Sequence, residues 1–385
     1  MKVSKADIYT RRHAIASIRF EDQKLTSFSG LVVFQKLFER LDLSRKVKGA
    51  CSHLDRGRSY CFGSIVELLI VHVLLGCRKL REMDFYRDDP MVKLLLRLKR
   101  LPGVATVSRM LREFDAESVE KHQELNRRMV VDRLGTMQLR RVTLDFDGSV
   151  QSTKRHAEGT AVGFNKKKKG ARSYYPLFCT VAQTGQVLDV LHRSGNVHDS
   201  NGAREFVLQC VRYVRGSVPG VIFEVRMDSA FFSDDLVELL NAEGVEYTIS
   251  VPFMRFGKLK ELVEARKVVK YHEGRGYQEN IFAELKSQGA MDYIPVRTWI
   301  GNKIYLLCNL LAHNLVRELQ MQANEPARTT SEKRTPLWIF EGLAVIRRTI
   351  IQRAGRVTTP CGVRTLTMSA NEAVQRTLLH YLAAA

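Results

Sequence analysis

At 385 residues, 45% of them hydrophobic and 26% charged, the chain has ordinary globular composition and length for two or three domains, which excludes a disordered or fibrous protein. The 61 Lys and Arg against 41 Asp and Glu leave a net charge of +20, a field that attracts phosphate backbones or anionic surfaces and makes nucleic acid the leading partner. Seven cysteines, an odd number with no C-x-x-C pair, argue against a disulfide framework or a zinc knuckle and fit a reduced cytosol.

The opening stretch MKVSKADIYTRRHAIASIRF scatters its charges and has no apolar core, so no secretory signal is expected. Residues 1–135 read as mainly helical. GLVVFQKLFERLD sets Leu31, Phe34, Leu37, Phe38 and Leu41 on one stripe, and TVSRMLREFD does the same with Val107, Met110, Leu111 and Phe114. SIVELLIVHVLLG is broken by Glu67 and His72 and is shorter than the roughly 20 residues of a membrane span, so it reads as a buried helix. Short helices with basic faces make this segment a candidate DNA reader of helix-turn-helix type.

From about 140 the rhythm changes. RVTLDFDGSV, YYPLFCTVAQTGQ and VLDVLHRSG read as three strands on short connections. SNGAREFVLQCVRYVRG follows as a helix capped by Ser200 or Asn201, then GVIFEVRMDS (strand), FSDDLVELLNAEG (helix), VEYTISVP (strand) and RGYQENIFAELKSQ (helix). The stretch MRFGKLKELVEARKVVKYHEG has room for one helix and one short strand. The order β-β-β-α-β-α-β-α implies a mixed sheet with helices on both faces. IYLLCNLLAHNLVRELQMQ reads as a long amphipathic helix, NEPARTTSEKRTP as a linker, and the remainder as a basic, partly helical tail. The segments are thus 1–135, 136–323 and 324–385.

Acids fall at strand ends: Asp145 and Asp147 on one face of the first strand, and Asp228 at the close of a later one. With Glu279 on the last helix they offer hard oxygen ligands for two divalent ions, which clamp the attacking and leaving oxygens of a phosphodiester. Arg275, Glu279 and Lys286, in steps of four and seven, project from one helical stripe, where two bases flank an acid. Glu284 lies off that stripe. Lys166, Lys167, Lys168 and Lys169 form a basic run able to track phosphates or simply to be solvated. His198 and His313 read as hydrogen-bonded core histidines.

These residues resemble the DDE transposases of bacterial insertion sequences with an RNase H-like catalytic domain, in particular the group with a Y-x2-R-x3-E-x6-K signature. Arg275, Glu279 and Lys286 match its R-x3-E-x6-K portion, Asp228 to Phe231 match D-x-[GA]-[FY], DFDGSV resembles the first-aspartate segment, and GFNKKKKGARSYYPLFCTV, which includes Arg172, resembles the Gly/Lys-rich second strand. The signature tyrosine would fall at 272, where His272 stands one place after Tyr271. The interval from Asp228 to Glu279 also lacks room for the long β insertion of many relatives. The resemblance implies an α/β RNase H-like domain preceded by a helical region and followed by a helical tail. It implies cleavage at element ends with Mg²⁺ (two ions, Mn²⁺ able to substitute), and attack of the freed 3′ hydroxyl on target DNA. Asp147, Asp228 and Glu279 would hold the ions, with Asp145 as a group behind them. Arg275, Lys286, Lys166–Lys169 and Arg172 would contact DNA. The partner is double-stranded DNA, bound by a homodimer in the cytoplasm, with no membrane. A metal nuclease without strand transfer and a domesticated DNA binder are the alternatives.

Overall fold

The computed structural model describes residues 21–385 except 56, 155, 164, 166, 167, 251–273 and 330–333. Lys166, Lys167, Tyr271, His272 and the stretch MRFGKLKELVEARKVVKYHEG expected to hold a helix and a strand therefore lie outside the described residues.

The N-terminal helices are α1 (Leu31–Arg40), α2 (Leu43–Cys51), α3 (Phe62–Leu74), α4 (Val104–Leu111) and α5 (Ala116–Gly135). Every residue of α3 is buried, Glu67 and His72 included, which explains its unbroken apolar run. The expected apolar stripes of α1 and α4 face the same core, with only Leu41 at its margin. The last of these helices, α5, leads into the central sheet.

That sheet has five strands, β1 (Arg141–Gly148), β2 (Leu177–Val181), β3 (Gln186–Leu191), β4 (Ile222–Met227) and β5 (Glu246–Ile249), in the order β3-β2-β1-β4-β5. β1–β2 and β2–β3 are antiparallel, while β1–β4 and β4–β5 are parallel. Helix α6 (Ala203–Ser217) makes the crossover from β3 to β4, and α7 (Asp234–Ala242) that from β4 to β5. This three-strand meander continued by βα units is the RNase H-like arrangement expected from the sequence. Alternation sorts β1: Val142, Leu144 and Phe146 enter an apolar core with Phe206, Val207 and Val211 of α6, whereas Thr143, Asp145 and Asp147 face the other way. α6 begins after Gly202 in the left-handed region (φ 69°) with no side-chain cap, so neither Ser200 nor Asn201 is the cap. Three short strands not expected from the sequence, Gln151–Thr153, Ala161–Val162 and Arg172–Tyr174, form a small outlying sheet.

The polar face of the sheet is closed by α8 (Gly276–Ser287) and by α9 (Trp299–Ala323). α9 is not amphipathic in its setting: every residue from Ile304 to Met321 is buried, because it packs against α3, α5 and β3 at once. Its polar groups are paired internally. Asn314 accepts from Val187 N (2.8 Å), and together with Asn126 of α5 it satisfies the outer edge of β3, which would otherwise expose a pairing template. Glu318 is bound by Arg133 (Nε to Oε2, 2.9 Å).

The stretch read as a linker also packs: Trp338 Nε1 donates to Asn324 O (2.8 Å), and Leu337 N donates to Gln183 O (2.9 Å) at the sheet. Beyond it, strands Gly355–Thr358 and Thr365–Met368 pair with Leu25–Thr26, and α10 (Glu372–Ala384) lies on α1 and α9. One apolar cluster thus contains residues of the N-terminal helices, α8, α9 and the C-terminal segment.

Candidate active site

Parallel pairing of β1 with β4 sets Thr143 against Glu224 and Asp145 against Arg226, so the next outward pair, Asp147 and Asp228, lies side by side at the strand ends. A polar ladder climbs this face. At its foot Thr143 Oγ1 donates to Glu224 Oε2 (2.8 Å), and Arg334 ion-pairs with Glu224. In the middle Arg226 grips Asp145 with both arms of the guanidinium (2.5 and 2.7 Å), the pair being 0% and 3% exposed. Both Asp145 oxygens are therefore engaged, and its backbone carbonyl accepts from Gln278 Nε2 of α8 (2.9 Å).

Asp147 stands at the top. Its Oδ2 lies 3.3 Å from Arg275 Nη1, and its Oδ1 accepts from Gly148 N (2.7 Å). Burial pushes its pKa up to about 6; Arg275 opposes the rise, and the neighbouring Asp228 and Asp199 carboxylates add to it. Asp228, half-buried, accepts from Ala230 N (3.0 Å) and so caps the turn that follows β4. A side chain at Gly148 would place Cβ 2.4 Å from the Tyr175 ring, so glycine lets that tyrosine close on the strand end.

Arg275 is the cap of α8, and it is buried against Asp147 rather than lying on an open face. One turn on, Glu279 is exposed and makes no hydrogen bond or ion pair with any described residue, while Lys286 is half-buried. The three do share a side of the helix axis, but they differ in surroundings, which corrects the expectation of a uniform stripe. Glu284 is excluded from the site: it is bound by Arg317 (2.6 Å) and by Leu343 N (2.9 Å). Lys168 and Lys169 are exposed, whereas Arg172 turns its Nε onto Thr160 Oγ1 (3.1 Å). His313 is buried and bonded to Gly185 O (3.0 Å) as expected; His198 is exposed and bonded only to Ser200, so the core reading fails for it.

Among the described residues, one His/Cys/Asp/Glu trio has ligand atoms all within 4.8 Å, namely His53, Asp115 and Glu117; Asp147, Asp228 and Glu279 do not form such a group. Asp115 there caps α5 through Ser118 N (2.8 Å) and pairs with His53, which is a structural use. The strand-end pair has the chemistry a hard divalent cation needs: two carboxylates, one of them buried with its charge only partly countered. Asp199 and Tyr175, which carry no recognised spacing, adjoin this pair. No signal local to their sequence marks them.

The family described as transposase DDE domain, group 1, matches residues 10–265. The chain belongs to the DDE transposases. The match contains Asp147 and Asp228 and ends before α8, so Glu279 stands on its spacing alone. No curated protein matches the chain by sequence. Among solved structures it is similar to the piggyBac transposase synaptic complex with hairpin DNA (12% identity, 80% of this chain and 78% of that one, TM-score 0.38). Others are the Mos1 mariner paired-end complex with Mn (11%, 61% and 80%, 0.21) and the Drosophila P element transposase strand transfer complex (11%, 85% and 80%, 0.26). No described helix is long and apolar enough to cross a membrane.

Proposed function

We propose that this transposase cleaves double-stranded DNA at the ends of a mobile element and joins the freed 3′ ends to target DNA, with Asp147, Asp228 and Glu279 as ligands for two Mg²⁺ ions that Mn²⁺ can replace. The observation that carries this reading is the pairing of Asp147 with Asp228 at adjoining ends of parallel strands, beneath the start of α8. When bound, such ions polarise the scissile phosphodiester and lower the pKa of attacking water. The chain's own part is positional. Arg226 fixes Asp145 and so registers β4 on β1. Gln278 ties α8 to the same strand, and Arg275 counters the charge of Asp147. Lys286, Lys168 and Lys169 contact backbone phosphates, with Lys166, Lys167 and Arg172 assigned the same role. Residues 1–135 read the element ends, 136–323 carry the chemistry, and two copies hold two ends together.

The test is a joining assay. Duplexes taken from the DNA flanking the gene are incubated with a target plasmid and the full chain in Mg²⁺, Mn²⁺ or chelator. Plasmid carrying the duplex through its 3′ end, formed only with metal, is the expected product. Cleavage without joining would leave a metal nuclease, and binding without cleavage a DNA binder.

A further inference from the structure

The loop between β3 and α6 brings a third carboxylate to the strand ends through a chain of direct contacts. Asp147 accepts from Gly148 N, and the space a Cβ at Gly148 would take is filled by the Tyr175 ring and hydroxyl. Tyr175 in turn rests on Arg193, whose guanidinium lies 5.3 Å over the ring while its Nε donates to Tyr175 O (3.1 Å). Arg193, with its side chain 6% exposed, uses Nη1 to gather three carbonyls of the loop, those of His198 (3.3 Å), Asp199 (2.9 Å) and Asn201 (2.9 Å). Its Nη2 has no hydrogen bond and stands 4.0 Å from Asp199 Oδ1. The loop is thus shaped by a buried arginine around the side chain it presents.

Asp199 performs none of the usual structural tasks of a loop aspartate. It does not cap α6, which starts after Gly202 without a side-chain cap, and its Oδ1 is buried with no hydrogen-bond partner. Its charge reaches Asp147 and the Tyr175 hydroxyl, both of which it makes harder to ionise. A buried, unpaired carboxylate oxygen beside two more carboxylates is costly unless a cation shares them.

We infer that Asp199 is a further metal-ligating carboxylate of the strand-end site, joining Asp147 and Asp228 from the loop that Arg193 holds. The inference rests on the metal-site reading above and adds a ligand to it. A hard cation accepts six or more oxygens, so a carboxylate from this side complements the two strand-end ligands.

The test reads metal binding by the full chain, apart from DNA cleavage. Mn²⁺ is titrated calorimetrically into the wild type and into Asp147→Asn, Asp228→Asn and Asp199→Asn, with thermal unfolding in chelator as the check on folding. Asp199→Asn is expected to weaken Mn²⁺ binding at least tenfold without lowering the unfolding midpoint. Wild-type affinity in Asp199→Asn, with binding lost in Asp147→Asn and Asp228→Asn, overturns this inference and leaves the underlying site standing. Unchanged binding in all three variants overturns both. A second measurement needs no variant: Fe²⁺ with ascorbate cuts backbone near a bound ion. Scission of the wild type between residues 196 and 201, as well as near 147 and 228, is expected, and its absence from 196–201 overturns the assignment.

Discussion

The charge on Asp147 is held against the preference of its surroundings, so removing it should stabilise the protein. Its side chain is 17% exposed, and burial raises its pKa from an ordinary 3.8 to about 6 even with Arg275 at 3.3 Å. The folded pKa lies above the unfolded one, so the folded chain keeps this proton where the unfolded chain has lost it. Stability present below the unfolded value is therefore lost as pH rises through about 6. At about 1.4 kcal/mol per pH unit, the ionised group costs up to about 3 kcal/mol at pH 8. Asp147→Asn keeps the shape and removes the charge. Urea unfolding in chelator should find it about 1–3 kcal/mol more stable than the wild type at pH 8, with the gap closing toward pH 4. A variant no more stable than the wild type at pH 8 would refute the reasoning and would mean that the Arg275 pair outweighs burial.

Three further outcomes follow from the same geometry. Glu284→Gln strands Arg317, which is 3% exposed, and should cost about 3 kcal/mol by urea unfolding, whereas exposed Glu279→Gln should stay within about 0.5 kcal/mol and lose cleavage. Arg226→Met leaves Asp145 buried without its partner and should cost about 3–5 kcal/mol in the same assay at pH 8, a loss that shrinks in acid as Asp145 is protonated. End binding measured against salt should lose about 0.9 of log–log slope for each phosphate contact removed, so replacing Lys168 and Lys169 by Ala should flatten it; an unchanged slope makes them a solvated loop.

The sheet was legible because its strands are short alternating runs separated by turn residues, and that pattern is local. What spacing alone could not resolve was the choice between Asp145 and Asp147. The two share a face, and only the approach of Arg226 from a strand 81 positions away takes up Asp145 and leaves Asp147 at the rim. Helix α9 misled for a related reason: Asn314, Arg317 and Glu318 look like a solvent face, yet each finds a partner inside the fold. The supposed linker carries Arg334 to Glu224, a contact no composition rule anticipates. His198 and Asp199 are adjacent in sequence, and neither the exposure of the first nor the unpaired oxygen of the second follows from the letters around them.

The central claim, that the Asp147–Asp228 pair performs metal-dependent DNA chemistry, is tested most directly by one comparison. Wild type and Asp228→Asn are assayed for binding and for Mg²⁺-dependent cleavage on the same end-bearing duplex. The variant should bind within about threefold of wild type, because it loses a metal ligand and no phosphate contact, and should cleave at least about 1,000-fold more slowly. Cleavage at the wild-type rate by Asp228→Asn would contradict the account.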